Sequence, residues 1–128
     1  MFATEEQNPF FHIPIGIARR IGGLPEPRPG TPWQFSLGDP QRLGDLFRAS
    51  GLCDVEVHRA TGMRRYASVG EALRRMQEAS LHIRGWMSRL TEAQREQAWQ
   101  DTARELHRFE GPNGCELADE WLIAIGTK

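Results

Sequence analysis

The sequence predicts an α+β fold with few strands for its helices, and three observations carry that expectation. Helix caps are written into the chain at Asp39-Pro40, Ser68-Val-Gly-Glu71 and Thr91-Glu-Ala-Gln94, each ahead of apolar residues at helical spacing. Cys53 to Thr61 alternates as a half-buried strand does, with Val55 and Val57 on one face and Glu56 and His58 on the other. Glu120 to Gly126 is apolar on both faces, which predicts a central strand buried on both sides.

Taken in order, residues 1–38 read as an irregular arm holding one short helix. Pro14 suits the first turn of that helix, Ile13, Ile17 and Ile21 recur at four-residue steps, and Gly22-Gly23 ends it. Pro25, Pro27, Pro29 and Pro32 then forbid helix or central strand and predict an extended loop. Beyond Asp39 the stripe Leu43, Leu46, Phe47 runs to Gly51, a C-cap glycine. After the first strand, Val69, Ala72, Leu73 and Met76 form one helical face, Ile83, Trp86, Met87 and Leu90 a second, and Trp99, Ala103 and Leu106 a third. The third helix should end near Glu110, because Gly111-Pro-Asn-Gly114 is a strong turn. The expectation is two main antiparallel strands, about 53–61 and 120–126, with four to five helices in a single domain over 1–128.

Composition excludes several classes of partner. The 16 basic and 17 acidic residues are evenly mixed, so no basic stripe could neutralise a run of phosphates, and nucleic acid is not expected. No window approaches the length of an apolar membrane span, and no secretory leader is read at the start. Cys53 and Cys115 are too few for a disulfide framework and wrongly spaced for zinc, which fits a reducing, cytoplasmic setting. Neither has a neighbourhood that would activate a thiol.

The order of elements, with Phe2-Ala-Thr-Glu-Glu-Gln-Asn-Pro-Phe-Phe11, Phe35-Ser-Leu-Gly-Asp-Pro40, Leu46-Phe-Arg-Ala-Ser-Gly-Leu52, Asp54-Val-Glu-Val57 and Trp121-Leu-Ile-Ala-Ile-Gly126, resembles the C-terminal, substrate-side part of class I S-adenosylmethionine (SAM) dependent methyltransferases. The likeness is to the type 11 and ubiquinone/menaquinone biosynthesis group and covers nearly the whole chain. It implies a Rossmann-like sheet whose final strand inserts antiparallel, with the proline loop and helices forming a lid over the methyl acceptor. The family holds SAM on a glycine turn after a strand, with a carboxylate for the ribose. Gly16, Gly22 and Gly23 follow no predicted strand, so no SAM site is expected in this chain alone. The resemblance therefore implies a chain that is inactive by itself and works with one supplying the SAM-binding half. The alternative is a stand-alone homodimeric binding or interaction module, because so few strands leave sheet edges bare.

Candidate substrate-binding residues follow from the same likeness. Phe10, Phe11 and His12 lie after the segment that enters the active-site mouth; the imidazole is a polar contact or base for the acceptor, or a loop histidine between anchoring aromatics. Trp33 and Phe35 line an apolar pocket or tie the proline loop down. Tyr66 points into the pocket or packs at an element boundary, and Trp86 joins the pocket or fills the core at helical spacing. His82, His58 and His107 lack the further ligands a metal would need. Asp119-Glu120 reads as a solvated strand edge.

Overall fold

The computed structural model describes all residues from Met1 to Lys128 and is mixed α+β, with five α-helices and a three-stranded antiparallel sheet. A 3-10 turn at Glu5–Gln7 leads into α1 (Pro9–Gly22), and α2 (Pro40–Ala49) precedes β1 (Cys53–Tyr66). Helices α3 (Val69–Ala79), α4 (Leu81–Met87) and α5 (Glu92–Leu106) follow, and a 3-10 turn at His107–Phe109 leads into β2 (Glu110–Gly111) and β3 (Gly114–Thr127).

Strand β3 is the centre of the sheet. It pairs with β1 along nearly its whole length, from Cys115 opposite Tyr66 to Thr127 opposite Cys53. On its other edge lie β2 and, further along, the N-terminal residues, through an antiparallel bridge between Phe2 and Trp121. Both long strands are 14 residues, well beyond the expected bounds of 53–61 and 120–126. The sequence signal fades because polar residues interrupt the alternation: Arg64 and Asp119 are strand residues that face inward and pair with each other. The solvated-edge reading of Asp119 is corrected accordingly, since it is 4% exposed.

The arm also differs from expectation. Its helix begins at Pro9, five residues before the anticipated start, and Pro14 sits inside it. Pro9 occupies the first-turn position that proline tolerates, while Pro14 only removes the bond it would have given to the Phe10 carbonyl. Gly23 at φ 60° forms the left-handed C-cap.

Asn8 fixes this arm to the sheet. Its backbone carbonyl accepts from Phe11 and His12, opening α1. Its side chain, fully buried, looks the other way: Nδ2 donates to Thr4 O (3.0 Å) and Glu120 O (3.1 Å), and Oδ1 accepts from Glu120 N (3.0 Å). Ala3 N–H donates to Glu120 O beside it, and Leu122 N–H to Met1 O.

The caps read from the sequence hold. Asp39 accepts from Gln41 N–H, Ser68 from Glu71 N–H and Thr91 from Gln94 N–H. Only the last is a full reciprocal box, because Glu71 turns back to Ala67 N–H instead of Ser68. The turn before β3 needs Gly114: its φ is 94°, and a Cβ there would lie 2.2 Å from the Tyr66 carbonyl oxygen.

The two faces of the sheet carry separate apolar clusters. On one, Cys115 and Leu117 pack under α1, α3, α4 and α5 with Phe10, Phe11, Met76, Ile83 and Leu106. On the other, Leu122 packs under α2 with Ala3 and Leu43. Strand β3 is not buried on both faces throughout, contrary to the alternation argument: Ile123 and Ile125 are 49% and 54% exposed. They share a face with Leu117, but the helices covering that face stop short of them.

Replacing Asn8 by Ala leaves the Glu120 amide and the Thr4 carbonyl without that partner in a buried setting. Such a loss should cost about 2–3 kcal/mol, read as a lowered midpoint of urea unfolding with unchanged slope. A change below about 0.5 kcal/mol would show that the clamp is dispensable.

Candidate functional site

Helix α1 organises the chemistry. It presents His12 and, about two turns later on the same face, Arg19, and both reach the carboxylate of Glu5 in the preceding 3-10 turn. Glu5 is 5% exposed. His12 Nδ1 lies 2.8 Å from Glu5 Oε2, and Arg19 Nη2 donates to the same oxygen. An ionised carboxylate only accepts, so the proton of the first bond rests on Nδ1 and leaves Nε2 as the free acceptor of the neutral ring. The other oxygen, Oε1, is buried and makes no hydrogen bond.

His12 opens on a cleft of about 440 Å³ between α1 and the end of α5, lined by Glu6, Ile13, Gly16, Arg20, Arg108 and Phe109 among others. Gly16 keeps that wall low, since nothing lies within 4 Å of where its Cβ would stand. A second cleft, of about 320 Å³, lies on the Glu5 side with Arg19, Glu26, Trp33 and Arg42. Glu6 lines both.

A third cleft, of about 400 Å³, lies between the proline loop and α4. Trp33 and Trp86 stand in it together with His82 and Arg89. The Trp86 ring carries Arg89 at 4.7 Å and Arg19 at 5.3 Å from its centroid, so its face is already engaged by cations. Trp33 also lines the second cleft and packs edge-on to Phe35.

The seven sequence candidates thus separate. His12, Trp33 and Trp86 are half-buried and line clefts. Phe10, Phe11 and Phe35 are buried at 4%, 6% and 6% exposure and form part of the core, although Phe35 touches the edge of the second cleft. Phe2, Phe11, Phe35 and Trp33 make a continuous chain of aromatic contacts that ties the proline loop to α1 and the sheet. Tyr66 is half-buried and stacks on Phe10 at the boundary of β1.

Sequence reasoning missed the partners of these residues. Glu5, Arg19 and Arg64 showed no motif, because their relations span 7, 14 and 55 residues. The Arg64 guanidinium sits 4.5 Å from the Phe10 ring centroid and bonds Asp119 through Nε at 2.7 Å. Burial works against its charge, but hydrogen bonding and attraction from Asp119 and Tyr66 more than offset this, and its pKa ends above the ordinary value.

The glycines available for an adenosyl cradle do not fit one. Gly16 is inside α1, Gly22 is at its last turn with a virtual Cβ 2.5 Å from Leu90 Cδ2, and Gly23 is its C-cap. A cradle needs glycines between a strand end and a helix N-terminus, where backbone amides face the ligand. Gly22 and Gly23 stand at a helix C-terminus instead, and Gly16 is mid-helix. No family model, curated protein or solved structure matches the chain.

The two thiols should differ sharply in reactivity. Cys53 is exposed, whereas Cys115 is fully buried, and burial with the nearby Glu110 carboxylate pushes its pKa up. At neutral pH a disulfide reagent should therefore titrate one thiol rapidly in the native chain and the second only on unfolding. Two fast equivalents would mean that the β2–β3 end of the sheet opens.

Proposed function

We propose that this chain is the acceptor-binding, lid-forming part of a Rossmann-like, class I methyltransferase fold, acting with a separate SAM-binding half. One observation carries the reading: β3 lies between β1 and the N-terminal residues and is antiparallel to both. The resemblance drawn from the sequence implies that arrangement for the final strand of the family. The order of helix, proline loop, helix and strand ahead of it agrees as well.

In this reading the chain binds and orients the acceptor and contributes no step of its own through SAM. Trp33 supplies an apolar wall for it, and Trp86 lines the same cleft with Arg89 on its ring face. His12, held in one tautomer by Glu5, offers Nε2 to a polar hydrogen of the acceptor. Closing the proline loop over the bound molecule excludes water and reduces the freedom of the reacting atom, which is where transfer reactions of this kind gain most. No helix is long and apolar enough to cross a membrane.

The purified chain titrated calorimetrically with SAM should give no saturable heat in the micromolar range. Mixed with the glycine-loop polypeptide that the reading requires, sought first in the adjoining reading frame, it should support transfer of a labelled methyl group. Trp33→Ala and Trp86→Ala should then raise the acceptor KM roughly tenfold each, with a smaller effect on kcat. Methyl transfer by this chain with no companion would overturn the proposal.

A second reading is favoured by a different observation: beyond Leu122 no strand covers the second edge of β3, and Ile123 and Ile125 stand exposed beside it. A stand-alone homodimer would bury that edge. Sedimentation should then show a concentration-dependent dimer that Ile123→Lys with Ile125→Lys converts to a folded monomer. A well-folded wild-type monomer at all concentrations removes this alternative.

A further inference from the structure

We infer that Glu5, Glu6 and His12 form a binding site for a divalent transition-metal ion, with zinc the best chemical match. Each of the three offers one ligand atom, and these atoms lie within 4.8 Å of one another. Ligands at zinc-like bond lengths of about 2.0–2.2 Å stand roughly 3.3 Å apart around a tetrahedral ion, so closing the set takes side-chain rotation and exchanges the His12 Nδ1–H bond to Glu5 for coordination, the ring proton moving to Nε2. Two of the ligands come from the 3-10 turn and the third from the start of α1, and the Asn8 clamp between them holds both against β3.

The buried carboxylate is the independent sign. Glu5 is 5% exposed, both its hydrogen bonds fall on Oε2, and Oε1 is buried without a partner. An unpaired buried carboxylate oxygen is costly, and neither a backbone amide nor a side-chain donor meets this one. A cation entering past Glu6, which is exposed, and His12, which is half-exposed, would supply the missing partner. Arg19 then plays the supporting role that outer-shell donors play at metal centres, fixing Glu5 through its second oxygen.

The donor set selects the ion class. An imidazole nitrogen disfavours calcium and magnesium, which take oxygen ligands, and suits zinc, cobalt or nickel. Three protein ligands leave a fourth position open toward the clefts that Glu6 lines. Arg19 offsets one of the two carboxylate charges, so binding in the micromolar range is expected rather than the much tighter grip of a closed cysteine site. The two other histidine–carboxylate pairs, His58 with Glu56 and His107 with Glu110, are exposed two-ligand contacts and serve as internal controls. This inference stands apart from the methyltransferase reading and survives its failure.

The test uses the full chain carrying Cys53→Ser, which removes the one exposed thiol as a competing ligand. Calorimetry with zinc chloride should give one ion per chain at micromolar affinity. Cobalt substitution should give weak visible bands without sulfur charge transfer. Glu6→Gln and His12→Ala should each weaken binding roughly tenfold or more; Glu6→Gln should leave the metal-free melting curve in place, whereas His12→Ala, which removes a hydrogen-bond partner of buried Glu5, should lower it modestly. His58→Ala with His107→Ala should leave binding unchanged. Absence of one-to-one binding below about 100 µM overturns the site, as does affinity that survives His12→Ala or disappears with the control pair. Glu5→Gln adds a further check where it folds, and the two surface variants decide the matter where it does not.

Discussion

The side chain of Asn8 is the constraint on which the arrangement of the other parts depends. Nothing else in the first forty residues meets β3 with more than one hydrogen bond from a single side chain. An Asn at a helix N-cap usually turns its side chain onto the helix amides. Here the carbonyl alone opens α1, and the amide group is given over to Glu120 and Thr4. That choice sets where α1 leaves the sheet, and α1 in turn carries Phe10 and Phe11 over Cys115 and Leu117, and His12 and Arg19 toward Glu5. The fold and the candidate site share one origin.

Charge is then buried in two places, each by a different compensation. Asp119 lies under α1 with Arg64, whose guanidinium bonds the carboxylate edge-on and offers its face to Phe10 and Phe11. Both ions have their partners, and aromatic faces screen them from water, so this pair acts as a fastener between strands and helix. Glu5 is different. It has a cation on one oxygen and nothing on the other, an imbalance that structural ion pairs avoid because a partly satisfied buried network is worse than none. Fasteners are complete and sites are incomplete, and by that criterion the Glu5 cluster is a site and the Asp119 pair is not.

Local features were readable in the sequence and distant ones were not. The caps at Asp39, Ser68 and Thr91, the turn at Gly111–Gly114 and the apolar stripes of α2 to α5 depend on residues a few positions apart, and they appear where spacing put them. Strand ends and the start of α1 were misjudged because a proline at either of two positions could open the helix, and because inward-facing Arg64 and Asp119 imitate surface residues until they are seen together. The same applies to the candidate residues. Aromatic residues after a strand-like segment gave no sign of whether they face a cleft or the core, and Phe10, Phe11 and Phe35 took the core while Trp33 and Trp86 line one cleft beside the proline loop. Glu5 had no local signature at all: its importance lies in burial, which no window of sequence encodes.

The staggered cover of β3 sets the terms for any partner. At about 3.4 Å per residue this strand runs some 45 Å, longer than either helical layer reaches. Helices α1 and α3 cover its first half on one face, with α4 and α5 packed onto them, and α2 covers the second half on the other. What remains uncovered is therefore diagonal, Met63 at one end of the α2 face and Ile123 with Ile125 at the opposite end of the other. Of the two, only the second adjoins a bare strand edge, and it does so beside Met1, whose backbone already pairs with Leu122. An added strand there would continue the line of Met1–Ala3, and an added helix would cover the two isoleucines next to α1. Such a layer would extend the face that α1 already covers, away from α2. Assembly at that edge and the chemistry on α1 would then share one side of the sheet, whichever chain supplies the layer.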